Sequence, residues 1–106
     1  MEKRIAVATI YKITYPNGKI YIGQDRTDDV NYFGSADSFT IAQDFSAKQR
    51  DDFIVHKQIL KRLHNVTVQQ INTAERKFIA QYESNNPDIG YNRTGIARRK
   101  CTTQFC

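Results

Sequence analysis

The residue types best suited to chemistry stand out first on one helical stretch. Between Thr67 and Ser84 the apolar residues Ile71, Ala74, Phe78, Ile79 and Tyr82 recur at helical spacing and form a single stripe. Glu75 falls on the same stripe. A lone carboxylate there is costly unless it is paired, protonated or bound to a cation. Two readings stay open at this point: an ion pair or a water-facing place at the edge of the stripe, or a ligand to a divalent ion. Tyr11 and Tyr21 raise a related question. They flank a turn, which resets the strand register, so sequence parity does not decide whether they share a face. Tyrosine is also a common strand residue that packs its ring and wets its hydroxyl. His56 and His64 read as surface or packing residues, His56 on a strand and His64 beside a turn.

The elements that must carry these groups are legible in outline. Ile5 to Thr14 is rich in β-branched and aromatic residues and predicts a strand. Tyr15-Pro16-Asn17-Gly18 is a turn signal, because Pro suits a turn entry and Asn-Gly tolerates positive φ. Lys19 to Gln24 alternates polar and apolar and predicts the return strand. Gln24 to Ser35 reads as an irregular connection. Ala36 to Lys48 predicts a helix, with Phe39, Ala42 and Phe45 at three-residue spacing. Phe53 to Leu63 predicts a third strand, with a helix as the alternative for its second half. Thr67 and Gln70 form a capping box, and Val66 and Ile71 stand at the positions of a hydrophobic staple. That helix runs to about Glu83 or Ser84, and Pro87 prevents its continuation. Ile89 to Thr94 predicts a short extended return. The order is β-β-α-β-α with a short C-terminal extended segment, an α/β two-layer domain with a small antiparallel sheet flanked by helices.

Composition bounds what such a domain does. The chain has 106 residues, enough for one domain, and 40% of them are hydrophobic. It carries a formal net charge of +5, which suits a polyanion, either nucleic acid or an acidic membrane face. No apolar run approaches the length of a membrane span, and the charged start followed by a short mixed stretch does not read as a signal peptide. Cys101 and Cys106 lack the neighbours of a four-ligand zinc site, and a bridge between them would close only a small loop. The expectation is a soluble protein of a reducing compartment, cytoplasmic or nucleoid-associated.

Taken together, Thr9-Ile10-Tyr11 and Tyr21-Ile22-Gly23 on a hairpin resemble the paired tripeptides of the GIY-YIG nuclease family. The second is intact and the first has Thr in place of Gly. Tyr32-Phe33-Gly34-Ser35 is similar to a stretch of phage-type, free-standing homing endonucleases of that family. Ala74-Glu75-Arg76 and Gly90-Tyr91-Asn92 follow in the family's order, so the resemblance covers Ile10 to Asn92. It implies a nuclease domain over residues 1–96, followed by a basic tail over 97–106. It implies a metal-dependent endonuclease that hydrolyses DNA phosphodiester bonds. Glu75 would hold one Mg²⁺, with Mn²⁺ as a substitute, and Tyr11 would take a proton from the attacking water. Tyr21 would position water or phosphate, and Asn92 would help place Glu75 or the substrate. The family usually carries an Arg about ten residues after the second Tyr; Asn31 occupies that position here, and Arg26 is the nearest candidate, with Lys12 or Lys19 as alternative point charges.

DNA is the expected partner. Arg93, Arg98, Arg99 and Lys100 cluster near the C-terminus, and Lys57, Lys61 and Arg62 form a second basic group. Either could follow a phosphate backbone, and each is equally readable as a solvated surface. Nothing resembles a base-reading module. Specific cleavage would therefore call for a further DNA-binding domain, and a double-strand break for a homodimer. Two other classes remain: a nucleic-acid-binding module of the same fold without turnover, motivated by Thr9 and Asn31, and a protein-interaction domain with an incidental basic face.

Overall fold

A computed structural model describes residues 3–34 and 38–93. The β-rich N-terminal segment forms strand β1, Arg4–Thr14, which turns back into β2, Ile20–Asp25. In the turn, Tyr15 N donates to Lys19 O at 2.9 Å and Gly18 N to Tyr15 O at 2.8 Å. Gly18 takes a φ of 87°, whereas Asn17 stays in the ordinary region. The Asn-Gly pair thus makes a three-residue hairpin loop rather than a turn with two positive-φ residues. Asn17 Oδ1 braces the loop by accepting from Lys19 N at 3.0 Å.

The connection that follows contains two short helices, α1 (Ser38–Gln43) and α2 (Ala47–Arg50), in place of the single helix expected over Ala36 to Lys48. Ser46 explains the break. Its hydroxyl accepts from Gln49 N while the Gln49 side chain accepts from Ser46 N, a capping box that starts a new helix. The expected apolar face does not hold together either: Phe45 is buried, but Phe39 is 70% exposed. The observed order is β-β-α-α-β-α.

Strand β3 runs over His56–Thr67, beginning later and ending later than expected, and no helix replaces its second half. It is drawn out by pairing along the whole of β1, from Thr14↔His56 to Arg4↔Thr67, with a register shift between Ile10 and Tyr11. His64 therefore lies within a strand opposite Val7, not beside a turn. The sheet is antiparallel, in the order β2-β1-β3. Helix α3, Val68–Tyr82, starts at the Thr67–Gln70 capping box and ends at Glu83 in the left-handed region.

Helix α3 covers one face of the sheet. Ala8, Ile10 and Ile22 pack there with Ile71 and Ile79, and Val66 joins the edge of this cluster. Burying each of the fully enclosed isoleucines contributes about 2 kcal/mol. Beyond α3, Gly90 forms a single parallel bridge to Ile20, with Ile20 N donating to Ile89 O and Tyr91 N to Ile20 O. This is the expected return segment as far as Arg93; Thr94 and the tail over 97–106, with Arg98, Arg99, Lys100, Cys101 and Cys106, lie outside the described residues. Among the described residues no helix is long and apolar enough to cross a membrane.

Candidate active site

The hairpin register answers the question left by the two tyrosines. Tyr11 pairs with Gly23 and Ile13 with Tyr21. Directly paired residues share a face, as do residues two apart on a strand, so Tyr11 and Tyr21 are diagonal neighbours on the face away from α3. Their ring centroids are 6.4 Å apart. Tyr32, from the connection after β2, closes against the edge of the Tyr11 ring at 6.2 Å.

The Tyr11 phenol is wholly enclosed. The residue is 0% exposed, and its hydroxyl has no hydrogen-bond partner among the described residues. Two glycines make room for it. A Cβ on Gly23 would stand 2.4 Å from the hydroxyl oxygen, and one on Gly34 would stand 2.0 Å away. The missing side chain at Gly23 lets the phenol extend across edge strand β2, and Gly34 lies over it as part of the strap 26–34. Burial pushes the Tyr11 phenol well above the usual tyrosine value, and Tyr21, Tyr32, Glu75 and Asp25 each add to the shift.

Gln24 ties β2 to α3 on the opposite face. It pairs with Ile10 and so faces α3. Its Nε2 donates to Glu75 Oε1 and to Asn72 Oδ1, both at 2.8 Å, and its Oε1 accepts from Arg26 Nε at 2.8 Å. Gly23 and Gln24 are consecutive, so one clears space for Tyr11 on one face while the other holds Glu75 on the opposite face. Arg26 is joined to Glu75 through the Gln24 amide. Glu75 is half-buried, and no Arg or Lys pairs with it among the described residues. Its second carboxylate oxygen has no protein partner among them.

Asn92 is placed by its backbone neighbour. Its Oδ1 accepts from Ile22 N and its Nδ2 donates to Ile22 O, both at 2.8 Å, inside the protein. It thereby pins the return segment against β2, one residue from Gly23, and holds the strand that shapes the site. Tyr91 beside it donates to Asp44 Oδ2 at 2.6 Å. Burial and that hydrogen bond push its phenol up to about 12.

The strap over Tyr11 is fastened from two sides. Asp25, nearly fully buried, accepts from Thr27 N, Thr27 Oγ1 and Asp29 N. Burial works to raise its pKa, but these hydrogen bonds and the Lys57 charge outweigh it and hold the carboxyl below the usual range. Lys57 on β3 sits 4.9 Å from the Tyr11 ring centre and donates to Tyr32 O at 2.6 Å and Asp29 O at 3.3 Å. Arg62 forms an ion pair with Asp28. Sequence reading missed Gln24, Tyr32 and Lys57 as site residues. Lys57 stood only in a general basic group, and Tyr32 only in a matching tetrapeptide.

The other basic residues are not gathered at the site. Lys12 lies over the Tyr82 ring at 4.9 Å, on the α3 face. Lys19 pairs with Asp44 at 3.4 Å and lies near the Tyr91 ring. Arg93 is exposed and reaches Thr40 Oγ1 at 3.2 Å. Lys61 is on an exposed position of β3, and Arg62, also exposed, reaches the strap at Asp28 rather than the tyrosines.

Among the described residues no three His, Cys, Asp or Glu side chains stand together as a metal cluster. That does not conflict with Mg²⁺, which keeps several waters and uses one or two carboxylates plus substrate phosphate oxygens. A half-buried carboxylate with one oxygen unengaged fits that mode. Comparison with protein-family models, curated proteins and solved structures gives no match.

Proposed function

We propose that this domain is a metal-dependent endonuclease of the GIY-YIG type, acting on DNA phosphodiester bonds. The observation that carries the reading is a hairpin that sets Tyr11 and Tyr21 side by side on one face and holds the hydrogen-bonded Glu75–Gln24–Arg26 chain from β2 on the other. Hydrolysis needs an activated water, neutralised phosphate charge and help for the leaving oxygen. Glu75 would hold one Mg²⁺ (or Mn²⁺), which when bound supplies charge neutralisation at the phosphate and the leaving 3′ oxygen.

The chain's own groups have distinct tasks in this reading. Tyr11 accepts the proton of the attacking water at its phenolic oxygen, and Tyr21 orients the water or the phosphate from the same face. Gln24 holds one carboxylate oxygen of Glu75, and the other has no protein partner among the described residues. Arg26, tied to the same amide, presents its guanidinium in the role that Asn31 cannot fill. Asn92 keeps β2 in place. With its pKa raised, the Tyr11 phenol is neutral and shielded as it stands, so proton transfer requires the strap at Gly34 to move aside and a cation to favour the phenolate.

That same enclosure favours a second reading, a nucleic-acid-binding module without turnover. The two separate on supercoiled plasmid with Mg²⁺, beside EDTA and the Glu75→Ala variant. Metal-dependent nicking that disappears in Glu75→Ala supports the enzyme. Salt-dependent binding by a folded protein with no cutting of plasmid, branched or single-stranded DNA supports the binding module and ends the enzyme reading.

A further inference from the structure

Beside the candidate site lies an open apolar groove of about 490 Å³, a size suited to a small planar ligand. Tyr15, Phe33, Gly34, Ile41, Phe45 and Phe53 form its walls. The aromatic rings are ordered against one another. Phe45 and Phe53 meet edge to face at 4.8 Å, and Tyr15 and Phe53 stand at 6.2 Å. Yet Phe33 and Phe53 remain 44% and 37% exposed, so their ring surfaces are available to an occupant. Gly34 belongs to both places, as a wall of the groove and as the cover on the Tyr11 hydroxyl.

We infer that this groove receives an unstacked nucleobase next to the scissile phosphate, so that the substrate carries an unpaired base at the cut, as in a single strand, a branch or a locally melted stretch of supercoiled plasmid. The inference rests on the nuclease reading above and specifies its substrate. Three observations favour a base over an aliphatic segment. Four of the nine wall residues are aromatic, and stacking on such rings is the sequence-tolerant way to hold a base. The borders are positive, with Arg50 in the wall and Lys57 standing 5.4 Å from the Phe33 ring centre, in a chain of net charge +5. That charge complements a polyanionic strand. Finally, the shared Gly34 puts a base in the groove next to the group that would activate water, and pressure on that wall acts on the cover of Tyr11.

The test separates bases from phosphates. A labelled oligothymidylate and an abasic strand of the same length are titrated with the protein by fluorescence anisotropy, in EDTA so that neither is cut. The wild type is expected to bind the base-bearing strand about tenfold more tightly or better, the equivalent of one stacked base. Ala42→Trp, which fills the groove from an exposed helical position, and Phe33→Ala, which removes one half-exposed wall, are each expected to bring the two affinities together while leaving abasic binding unchanged. Circular dichroism of both variants checks that the fold is intact. Equal wild-type affinity for the two strands overturns the groove and leaves plasmid cutting to be judged separately. A preference that survives both variants overturns it as well. Binding to neither strand removes the groove and the nucleic-acid reading together.

Discussion

The enclosed Tyr11 hydroxyl makes a prediction that runs against the usual effect of altering a buried residue. Tyr11→Phe is expected to stabilise the fold while abolishing cutting. A buried hydroxyl without a partner costs about 1–3 kcal/mol in protein mutational data, and this hydroxyl has neither partner nor exposure. Its removal leaves a gap of one oxygen atom, which costs about 0.3 kcal/mol at the usual rate per unit of cavity volume. The ring itself keeps its contacts with Tyr21, Tyr32 and Lys57. The net gain is about 1–2 kcal/mol, which in a domain near this size raises Tm by roughly 4–8 °C or more. Thermal unfolding followed by circular dichroism reads the shift, and plasmid nicking reads the loss of activity. A lower Tm would mean that the hydroxyl is satisfied in the folded protein and would refute the enclosure. Unchanged nicking would remove Tyr11 from the chemistry. Stability given up at one atom in return for activity is the pattern expected of a working site.

Gly34→Ala places a Cβ against the Tyr11 hydroxyl at a backbone φ of 85°, and it should destabilise by about 1–3 kcal/mol; in the Tyr11→Phe background the loss should shrink, which a double-mutant cycle in urea measures. Spectrophotometric titration should show no ionisation of Tyr11 before the chain unfolds. Its folded pKa lies above the unfolded value near 10, so its titration leaves stability unchanged below about pH 10 and lowers it as pH rises from there towards the folded value; Tyr11→Phe should flatten that alkaline decline. Asp25 works in the opposite sense. Its depressed pKa stabilises above about pH 4 and that stability is lost as pH falls through the folded value, so Asp25→Asn should lower stability at neutral pH and weaken the acid dependence below about pH 4. Asn92→Ala loses both hydrogen bonds to Ile22 and should cost about 2–3 kcal/mol in denaturant unfolding, whereas Gln24→Ala should leave stability nearly intact and lower the nicking rate by about tenfold or more.

What the amino-acid sequence determined by itself was chiefly local. Pro16-Asn17-Gly18 marked the hairpin, because turn geometry is decided by the φ angles its own residues allow. Thr67 and Gln70 marked the start of α3, because a capping box closes within four residues. Pro87 marked a limit to that helix through its missing N–H. Glu75 was conspicuous for the same reason, since its misfit could be read from helical spacing alone. The break between α1 and α2 was equally local, and the Ser46–Gln49 box was present in the sequence to signal it.

Only the tertiary structure decided how these parts meet. Hairpin register put Tyr11 and Tyr21 on one face, and no parity count along the chain contains that information. Gln24, rather than a cation, became the partner of Glu75, because β2 and α3 bring residues 51 positions apart into hydrogen-bonding distance. Lys57 and Tyr32 reached the phenol from another strand and from a loop whose sequence carries no element signal. Gly23 and Gly34 acquired their importance from what lies against them: a glycine announces conformational freedom in a sequence, but the atom filling the space of its absent side chain belongs to a residue elsewhere in the chain. Turns and caps are settled by bonds among neighbours, whereas a site is settled by distances between residues that become neighbours only when the sheet and helix pack.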